Sequence, residues 1–268
     1  MLICPICKKA LLLKGNSYFC ENRHCFDVSK RGYVNLLMSQ SSSKTHGDDK
    51  LMTVARKNFL NSGHYKKLLD FIALKCYNRH SIVDIGCGEG YYTCGIASEI
   101  ESSTYKVVGL DISKDIISAA ATRTKDPNVI FAVANCSALP IEDSMADCIV
   151  SVFAPLSSSE CARILKDDGI IIRVTPGVEH LIELKRAVYD VPQYNTKLDL
   201  SLDGFRSISE ETLKYKFEVS NSQLMDLFTM TPYYYKTSPK DIKKLESISI
   251  LEITAEFNIS VYKKLTVN

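Results

Sequence analysis

Membrane spans, secretory signals and internal repeats are all missing from this sequence of 268 residues. No apolar run approaches the ~18 residues that would suggest a membrane span. The first residues, MLICPICKK, lack the basic-then-apolar order of a signal peptide. The hydrophobic content of 46% is enough to bury at least one full core. We therefore expect a cytoplasmic globular protein of roughly one or two domains, without a membrane partner.

A regular disulfide framework is also missing. Four of the ten cysteines crowd into the first 25 residues, and the other six follow no regular spacing. In a reducing cytoplasm, scattered cysteines are typical of small buried hydrophobic side chains and not of disulfides. We expect this buried role for Cys76, Cys87, Cys94, Cys136, Cys148 and Cys161.

The net charge of +2 conceals an uneven distribution. Residues 1–75 hold 13 Lys or Arg against 5 Asp or Glu, a net charge of +8, and residues 76–268 hold 20 against 26, a net charge of −6. Clustered lysine and arginine side chains bind a phosphate backbone by releasing its counterions. A basic front therefore hints at a polyanionic partner, although a solvated basic surface would give the same numbers.

The cysteine-rich front has the spacing of a zinc site. Cys4 and Cys7 form a C-x2-C knuckle, and a second group of donors follows with Cys20, His24 and Cys25. Soft thiolate and imidazole donors on two tight turns favour tetrahedral Zn²⁺ over Ca²⁺ or Mg²⁺. His24 and Cys25 are neighbours that cannot easily reach one ion together, so the spacing leaves the fourth ligand open between them.

Four protein ligands leave no open position for a substrate, so this zinc is predicted to be structural. A unit of fewer than about 40 residues cannot fold on its apolar core alone, and the metal would supply its folding free energy. Basic and aromatic residues lie among the donors, a combination that suits phosphates and unpaired bases, although some of the rings would form the small core. These residues are Lys8, Lys9, Lys14, Arg23, Lys30, Arg31, Tyr18, Phe19, Phe26 and Tyr33.

From about residue 80, short apolar strands alternate with longer helical stretches, a pattern that predicts a mostly parallel sheet with helices on both faces. Helices are predicted over 51–60 and 65–77, after a polar connector over 39–50. Residues 190–220 break the alternation and are interpreted as an insertion with a hairpin. The tail after residue 246 is predicted to add an antiparallel edge. The predicted strands are SIVDI, KVVGLDI, VIFAVA, DCIVSVF and GIIIRVT.

A glycine-rich turn follows the first of these strands. Gly86, Gly88 and Gly90 lie where the backbone can approach a ligand at the carboxyl end of a strand. The third glycine comes one residue too early for the dinucleotide motif G-x-G-x-x-G, which argues against a nicotinamide enzyme. Asp111 ends the second strand, where a carboxylate can bind both hydroxyls of a ribose.

A first strand that ends in D-x-G-x-G-x-G and a second that ends in an acidic residue resemble the class I methyltransferases, which use S-adenosylmethionine. The resemblance implies a Rossmann-like α/β fold with a seven-stranded, mostly parallel sheet. It also implies that the three glycines shape the methionine pocket, that Asp84 lies near the amino acid end, and that Asp111 holds the ribose. Asn135 and Cys136 would lie beside the adenine.

The whole chain resembles a narrower family, the 23S ribosomal RNA guanine-N1 methyltransferases. The segments CPICK, YFCENRHCFDVSKRGYVNLL, SGHY, DIGCGEGYYT, FAP, TPGVEHLIELK and MTP follow one another in that family's order. Cys25 is a departure, because relatives usually carry a non-ligating residue there. The resemblance implies zinc ligands at Cys4, Cys7, Cys20 and His24, and cofactor contacts at Tyr65, Gly88, Glu89 and His180.

The family resemblance also implies how the chain is divided and what it binds. We expect a zinc-binding RNA-recognition domain over 1–38, a linker and helix over 39–64, and a methyltransferase domain over 65–268 with its insertion at about 190–220. The implied substrate is a guanine in a hairpin loop of 23S rRNA. Relatives are described as dimers, so a homodimer is possible.

The implied reaction is a direct attack of guanine N1 on the methyl group of S-adenosylmethionine. N1 carries a proton at neutral pH, so a base must take it or a donor must stabilise the charge at O6. The acceptor is not identified, and His180, Glu183 and Asp84 are weak candidates. Phe153, after the fourth strand, is expected to border the flipped base. Cys148 and Cys161 are predicted to be core residues and not nucleophiles.

Two other functions explain less of the sequence. A small-molecule methyltransferase with a structural zinc cap would have no affinity for RNA. A non-enzymatic RNA-binding scaffold is disfavoured, because Asp84, the three glycines and Asp111 are all present.

Overall fold

The computed structural model describes residues 1–38, 49–100, 104–196 and 198–265. The predicted connector over 39–50 lies almost entirely outside them. None of the helices in the described ranges combines the length and the apolar character that a transmembrane span needs.

The first 28 residues form a small unit, which we call the zinc module. Its three short strands β1–β3 make an antiparallel sheet in sequence order. A fourth strand, β4, follows the module but does not join that sheet. The bounds are β1 Leu12–Lys14, β2 Ser17–Phe19, β3 Cys25–Asp27 and β4 Tyr33–Asn35.

The remaining elements alternate between strands and helices as the pattern predicts. Side chains of Asp49, Ser113 and Ser157 cap three of the helices by accepting backbone N–H groups of their first turns. The elements are α1 Lys50–Asn61, α2 Lys66–Lys75, β5 Ser81–Ile85, α3 Tyr91–Ser98, β6 Lys106–Asp111, α4 Lys114–Ala120, β7 Val129–Val133, β8 Ala146–Val152, α5 Ser158–Ile164, β9 Leu165–Pro176, α6 Ile182–Val188, β10 Phe205–Ser220, α7 Asn221–Thr229, α8 Pro239–Ile242 and β11 Ile250–Lys264.

One large sheet organises the molecule, and its strand order is β10-β11-β9-β8-β5-β6-β7-β4. The six strands from β9 to β4 are parallel, and β11 and β10 are antiparallel. This confirms the predicted class I methyltransferase fold with its N-terminal zinc-binding unit. The described part of the sheet has eight strands and not seven, because Tyr33–Asn35 pairs with Phe131–Val133 of β7.

The C-terminal half of the sheet differs from the prediction in two details. The second half of the predicted insertion is a single 16-residue strand, β10, which pairs along its length with β11 and not within a local hairpin. The tail strand β11 is antiparallel as predicted, but β10 lies outside it at the edge. The alternating short runs in 190–220 indicated strand character but not the partner, which is about 40 residues further along the chain.

Apolar side chains cover both faces of the large sheet. On one face Phe59, Tyr65 and Phe257 belong to a core that joins α1 and α2 to the strands. On the other face Leu2 and Leu11 of the zinc module share a core with central strands of the sheet. The backbone N–H of Ile3 donates to the carbonyl of Pro140 at 2.9 Å. The zinc module is therefore packed against one face of the large sheet.

Candidate active site and metal centre

A cavity of about 1010 Å³ opens at the carboxyl ends of β5, β6, β8 and β9. Open α/β sheets bind ligands at this edge. Nine of the ten predicted cofactor residues line it, and Gly90 is the exception. The nine are Tyr65, Asp84, Gly86, Gly88, Glu89, Asp111, Asn135, Cys136 and His180.

The glycines of the turn serve different purposes. Gly86, Gly88 and Gly90 all have positive φ angles, of 71°, 56° and 85°, a region that side chains rarely adopt. A Cβ on Gly86 would lie 2.3 Å from Cβ of Ala154, in the segment that follows β8. Gly90 precedes α3, and a Cβ there would meet Phe131 at 3.0 Å. Gly86 and Gly88 therefore shape the cavity wall, and Gly90 allows the helix to pack.

The two aspartates predicted at the cavity are held by different donors. Asp84 is buried, and Thr93 Oγ1 donates to its Oδ2 at 2.6 Å. Burial, with a smaller contribution from the charge of Asp111, raises the pKa of Asp84 to about 7. Asp111 accepts the backbone N–H groups of Gly88 at 3.2 Å and Ser113 at 2.9 Å, one on each oxygen. Asp111 thus lies at the carboxyl end of β6 with its carboxylate fixed beside the glycine turn.

Tyr65 and His180 form a buried pair among the residues that line the cavity. His180 Nδ1 accepts the backbone N–H of Glu256 at 3.2 Å, and Nε2 lies 3.3 Å from Tyr65 Oη. Burial lowers the pKa of His180 to about 3, so the ring is neutral and has one proton. Because Nδ1 accepts, that proton is on Nε2 and is donated to Tyr65. This arrangement favours positioning of Tyr65 by His180 over proton abstraction.

Glu89 lies next to the glycine turn and is almost completely buried. Its Oε2 pairs with Nε of Arg123, whose Nε–H also points to the Glu89 carbonyl oxygen. Burial raises the pKa of Glu89, and the charge of Arg123 opposes this shift. Its second oxygen, Oε1, has no hydrogen-bond partner among the described residues.

Phe153 follows β8 directly and lines the cavity with a ring that is 45% exposed. Its φ angle is 58°, a conformation that is rare for a bulky residue. Its backbone N–H donates to the carbonyl of Val174 at 3.0 Å, which holds the residue in place. Such strained residues cluster at functional sites. The structure thus places Phe153 in the wall of the cavity, and its contact with the target base stays a prediction.

Glu183, one of the weak candidates for proton transfer, is occupied elsewhere. Its two oxygens accept the backbone N–H of Thr254 at 2.8 Å and the hydroxyl of Thr254 at 2.7 Å. It is not among the residues that line the cavity. Its contacts therefore tie α6 to β11.

Several residues that line the cavity are missing from the sequence-based prediction: Arg56, Tyr92, Arg173, Thr175 and Tyr233. A signal for two of them exists in the segment GIIIRVT, where Arg173 and Thr175 place polar groups on one face of an apolar strand. Arg56 and Tyr233 come from distant segments, and only the fold brings them to the site.

The carboxylates and aromatic side chains that line the cavity fit S-adenosylmethionine. Carboxylates suit the ribose hydroxyls and the amino group, and aromatic faces attract a sulfonium charge. Buried polar atoms normally have hydrogen-bond partners, yet four that belong to the lining residues have none among the described residues. These are Glu89 Oε1, Tyr92 Oη, Thr175 Oγ1 and Arg173 Nε.

The zinc ligands meet as the spacing predicts. One ligand atom each of Cys4, Cys7, Cys20 and His24 lies within 4.8 Å of the others. Cys7 Sγ and Cys20 Sγ are 3.6 Å apart, close to the distance of about 3.8 Å that tetrahedral zinc with bonds of about 2.3 Å requires. His24 Nδ1 lies 3.4 Å from the sulfur of Cys4 and 3.4 Å from that of Cys20. The pKa of Cys7 is lowered to about 6, mainly because the backbone N–H of Lys9 donates a hydrogen bond to its sulfur. The lowered pKa favours the thiolate form.

The question of the fourth ligand is settled by side-chain direction. Cys25 is exposed on β3, and its Sγ lies 3.8 Å from Asp27 Oδ1, away from the cluster. His24 therefore completes the site. All ten cysteines are free, and Cys76, Cys87, Cys148 and Cys161 are buried as predicted, but Cys94 and Cys136 are only partly buried.

The charged surface of the zinc module and of the turn over residues 29–32 that follows it is accessible. The six predicted phosphate-binding side chains are all exposed, whereas Tyr18 and Tyr33 are buried and Phe19 and Phe26 are half-buried. Two of the four rings thus belong to the core. The exposed cations are Lys8, Lys9, Lys14, Arg23, Lys30 and Arg31.

Comparison with known proteins agrees with both sites. The sequence matches the family model of the RlmA N-terminal zinc ribbon over residues 2–44 and that of a methyltransferase domain over residues 82–169. A 23S rRNA (guanine(748)-N(1))-methyltransferase of Streptomyces fradiae is 31% identical, over 98% of this chain and 97% of that protein. The chain belongs to the 23S rRNA guanine-N1 methyltransferase family. YxjB of Bacillus subtilis, whose name assigns the guanine-N1 activity provisionally, is 30% identical over the same shares.

Membership of this family makes the chain a methyltransferase that uses S-adenosylmethionine and has a zinc-binding unit. A solved structure from Anaeromyxobacter dehalogenans, titled provisionally as a type II methyltransferase, superposes with a TM-score of 0.51. It is 15% identical and covers 75% of this chain and 97% of its own, so it supports the fold alone.

Proposed function

We propose that the chain transfers a methyl group from S-adenosylmethionine to N1 of a guanine in 23S rRNA. The supporting observation is the alignment with guanine-N1 methyltransferases over 98% of the chain, which includes both the zinc module and the cofactor cavity. A small-molecule methyltransferase would need the cavity but not an exposed basic module packed beside it.

The proposal extends to the form of the substrate and of the enzyme. We propose a hairpin loop of 23S rRNA as the substrate, a homodimer as the active form, and the cytoplasm as the location. We propose the domain division of 1–38, 39–64 and 65–268, in which the first segment also contributes the edge strand β4 to the sheet of the third. The exposed cations of the zinc module support an RNA-binding role for the first domain.

The cofactor-side residues would act by holding and orienting. When bound, S-adenosylmethionine supplies an electrophilic methyl group. Asp111 would accept from the ribose hydroxyls, and Glu89 Oε1 would accept from a further polar group. Tyr65 Oη accepts a hydrogen bond from the Nε2–H group of His180, so its own hydroxyl hydrogen can point into the cavity. We propose that Asn135 and Cys136 contact the adenine and Asp84 the amino acid end.

The base-side residue with the best geometry is Phe153. Its half-exposed ring offers a stacking surface for a guanine that has left its helix. Stacking on this ring would keep N1 close to the methyl group and exclude water from the reacting atoms. The neutral His180 and the occupied Glu183 are both poor proton acceptors in this arrangement.

Methylation of 23S rRNA from a strain that lacks the modification tests the proposal. The purified full-length protein is incubated with this RNA and isotope-labelled S-adenosylmethionine, and the modified nucleoside is identified by mass spectrometry. We expect 1-methylguanosine at a single loop position. A different modified base, or methyl transfer only to small molecules, would reject the proposed function.

A further inference from the structure

Arg173 is a cation in the cavity wall that the cofactor-side contacts do not use. It lies on β9, between Ser151 of β8 and Ser260 of β11, and its side chain lines the cavity. Its Nε is buried and has no hydrogen-bond partner among the described residues. A buried guanidinium N–H without an acceptor is costly, so a ligand or water must supply the acceptor.

The three carboxylates that line the cavity have other partners among the described residues. Asp84 accepts from Thr93, Glu89 pairs with Arg123, and Asp111 accepts two backbone N–H groups. Hydrogen bonds from Ser201 to both oxygens of Asp199 are the main cause that lowers the pKa of this carboxylate, and the charge of Arg173 contributes less.

Arg173 is close to the segment that contacts the base. Phe153 donates its backbone N–H to the carbonyl of Val174, the next residue after Arg173. Ser151, two residues before Phe153, is the register partner of Arg173. Polar groups of Arg173 and of Thr175, two residues further on the same strand, thus line the cavity beside a stacking ring.

We propose that Arg173 donates a hydrogen bond to O6 of the target guanine, an inference that rests on the proposed function. In the reaction the N1–C bond forms, the methyl–sulfur bond breaks with its electron pair going to sulfur, and the N1 proton passes to solvent water. As that proton leaves, negative charge spreads from N1 to O6. A fixed guanidinium at O6 stabilises this charge and selects a base that has an acceptor at position 6.

The test compares R173Q and R173K with the wild type and with R206Q, a variant of an exposed arginine on β10. Single-turnover methyl transfer to 23S rRNA is measured at saturating cofactor, and the affinity for S-adenosylhomocysteine is measured by calorimetry. Removing one donor to a developing negative charge typically costs about 10²-fold in rate. We expect a loss of this order for R173Q, a smaller loss for R173K, and wild-type cofactor affinity and Tm for both. R206Q should match the wild type.

Each other outcome rejects the assignment. An unchanged rate in R173Q would show that Arg173 does not act on the base. A parallel loss of S-adenosylhomocysteine affinity would assign Arg173 to the cofactor. If R173Q does not fold, R173K decides, because a wild-type rate in R173K would exclude a role for the planar guanidinium. If the wild type methylates no guanine, both the proposed function and this inference are rejected. If the wild type is active and R173Q is equally active, only the inference is rejected.

Discussion

Asp84 is a single buried residue that lowers the stability of the cofactor-free fold when it is ionised. Its pKa is raised from the ordinary value to about 7 because the folded chain removes the carboxyl group from water. In the unfolded chain the group ionises at about pH 4. The folded state therefore binds more protons between about pH 4 and pH 7, and the contribution of Asp84 to stability is lost as the pH rises through this window.

We predict that D84N stabilises the cofactor-free protein at pH 7.5, by on the order of 1 kcal/mol, and weakens S-adenosylmethionine binding at least about tenfold. The stability gain should shrink towards pH 5, where Asp84 is protonated in the folded state. Urea unfolding at both pH values and calorimetry measure the two effects. D167N, at a fully exposed carboxylate, should change neither. A cofactor affinity of D84N equal to that of the wild type would show that Asp84 does not contribute to cofactor binding.

Gly86 is the residue at which a single methyl group should damage the cavity. Gly86 and Gly204 have similar φ angles of 71° and 81°, so alanine pays about 1 kcal/mol of backbone strain at either position. Only at Gly86 would the new Cβ also clash, at 2.3 Å from Ala154, whereas no atom lies within 4 Å at Gly204. We predict that G86A costs at least about 2 kcal/mol more than G204A in denaturant unfolding and abolishes cofactor binding. Equal losses of unfolding free energy in G86A and G204A would mean that the segment around Ala154 moves to make room for the methyl group.

At the scale of elements, the position of β3 decides which side chains face the metal. Cys25 begins β3 and is exposed, and His24 lies just before it with Nδ1 among the three sulfurs. We predict that C25S retains one zinc per chain and the wild-type Tm. C20S should lose zinc and part of the zinc module. Native mass spectrometry and metal analysis distinguish them, and loss of zinc in C25S would contradict the assignment of His24.

The strand β4 joins the large sheet although it follows the zinc module directly. It pairs in parallel with β7, and its first two residues, Tyr33 and Val34, are buried. Zinc should therefore not be needed to keep β4 paired with β7. We predict that chelation removes hydrogen-exchange protection from residues 1–28 and leaves protection in residues 33–35. Simultaneous loss in both segments would show that the zinc module and the sheet edge unfold as one unit.

At the scale of the whole molecule, exposed positive charge is concentrated in the first 31 residues. The edge strand β10, by contrast, has three acidic and three basic residues and no net charge. Electrostatic attraction would thus orient RNA towards the zinc module.

We predict that glutamine at Lys8, Lys14 and Lys30 weakens binding of 23S rRNA and lowers its salt dependence. The slope of log K against log salt should fall by about 2, or about 0.7 for each lost phosphate contact. Glutamine at Lys216, Lys240 and Lys243 removes the same charge from the far side and should leave the slope unchanged. Binding isotherms at several salt concentrations measure it, and equal slopes in the two triple variants would argue against a directed basic surface.

The sequence by itself determined the local chemistry of this protein. Cys4 and Cys7 must meet because two residues separate them, and the glycine turn must follow a strand because apolar residues precede it. Such features depend on neighbours in the chain, and the structure confirms the fold class and the zinc donors. The sequence also shows the polar residues Arg173 and Thr175 in the strand GIIIRVT, but it does not show that they line the cavity.

The tertiary structure decided what depends on distant residues. The choice of His24 over Cys25 follows from the direction of β3, and the eighth strand follows from the pairing of β4 with β7. Arg173 became a candidate only when its Nε proved to be buried and to have no acceptor in the described part of the chain. Pairing, burial and hydrogen-bond satisfaction depend on groups far apart in the chain, and only the packed molecule brings those groups together.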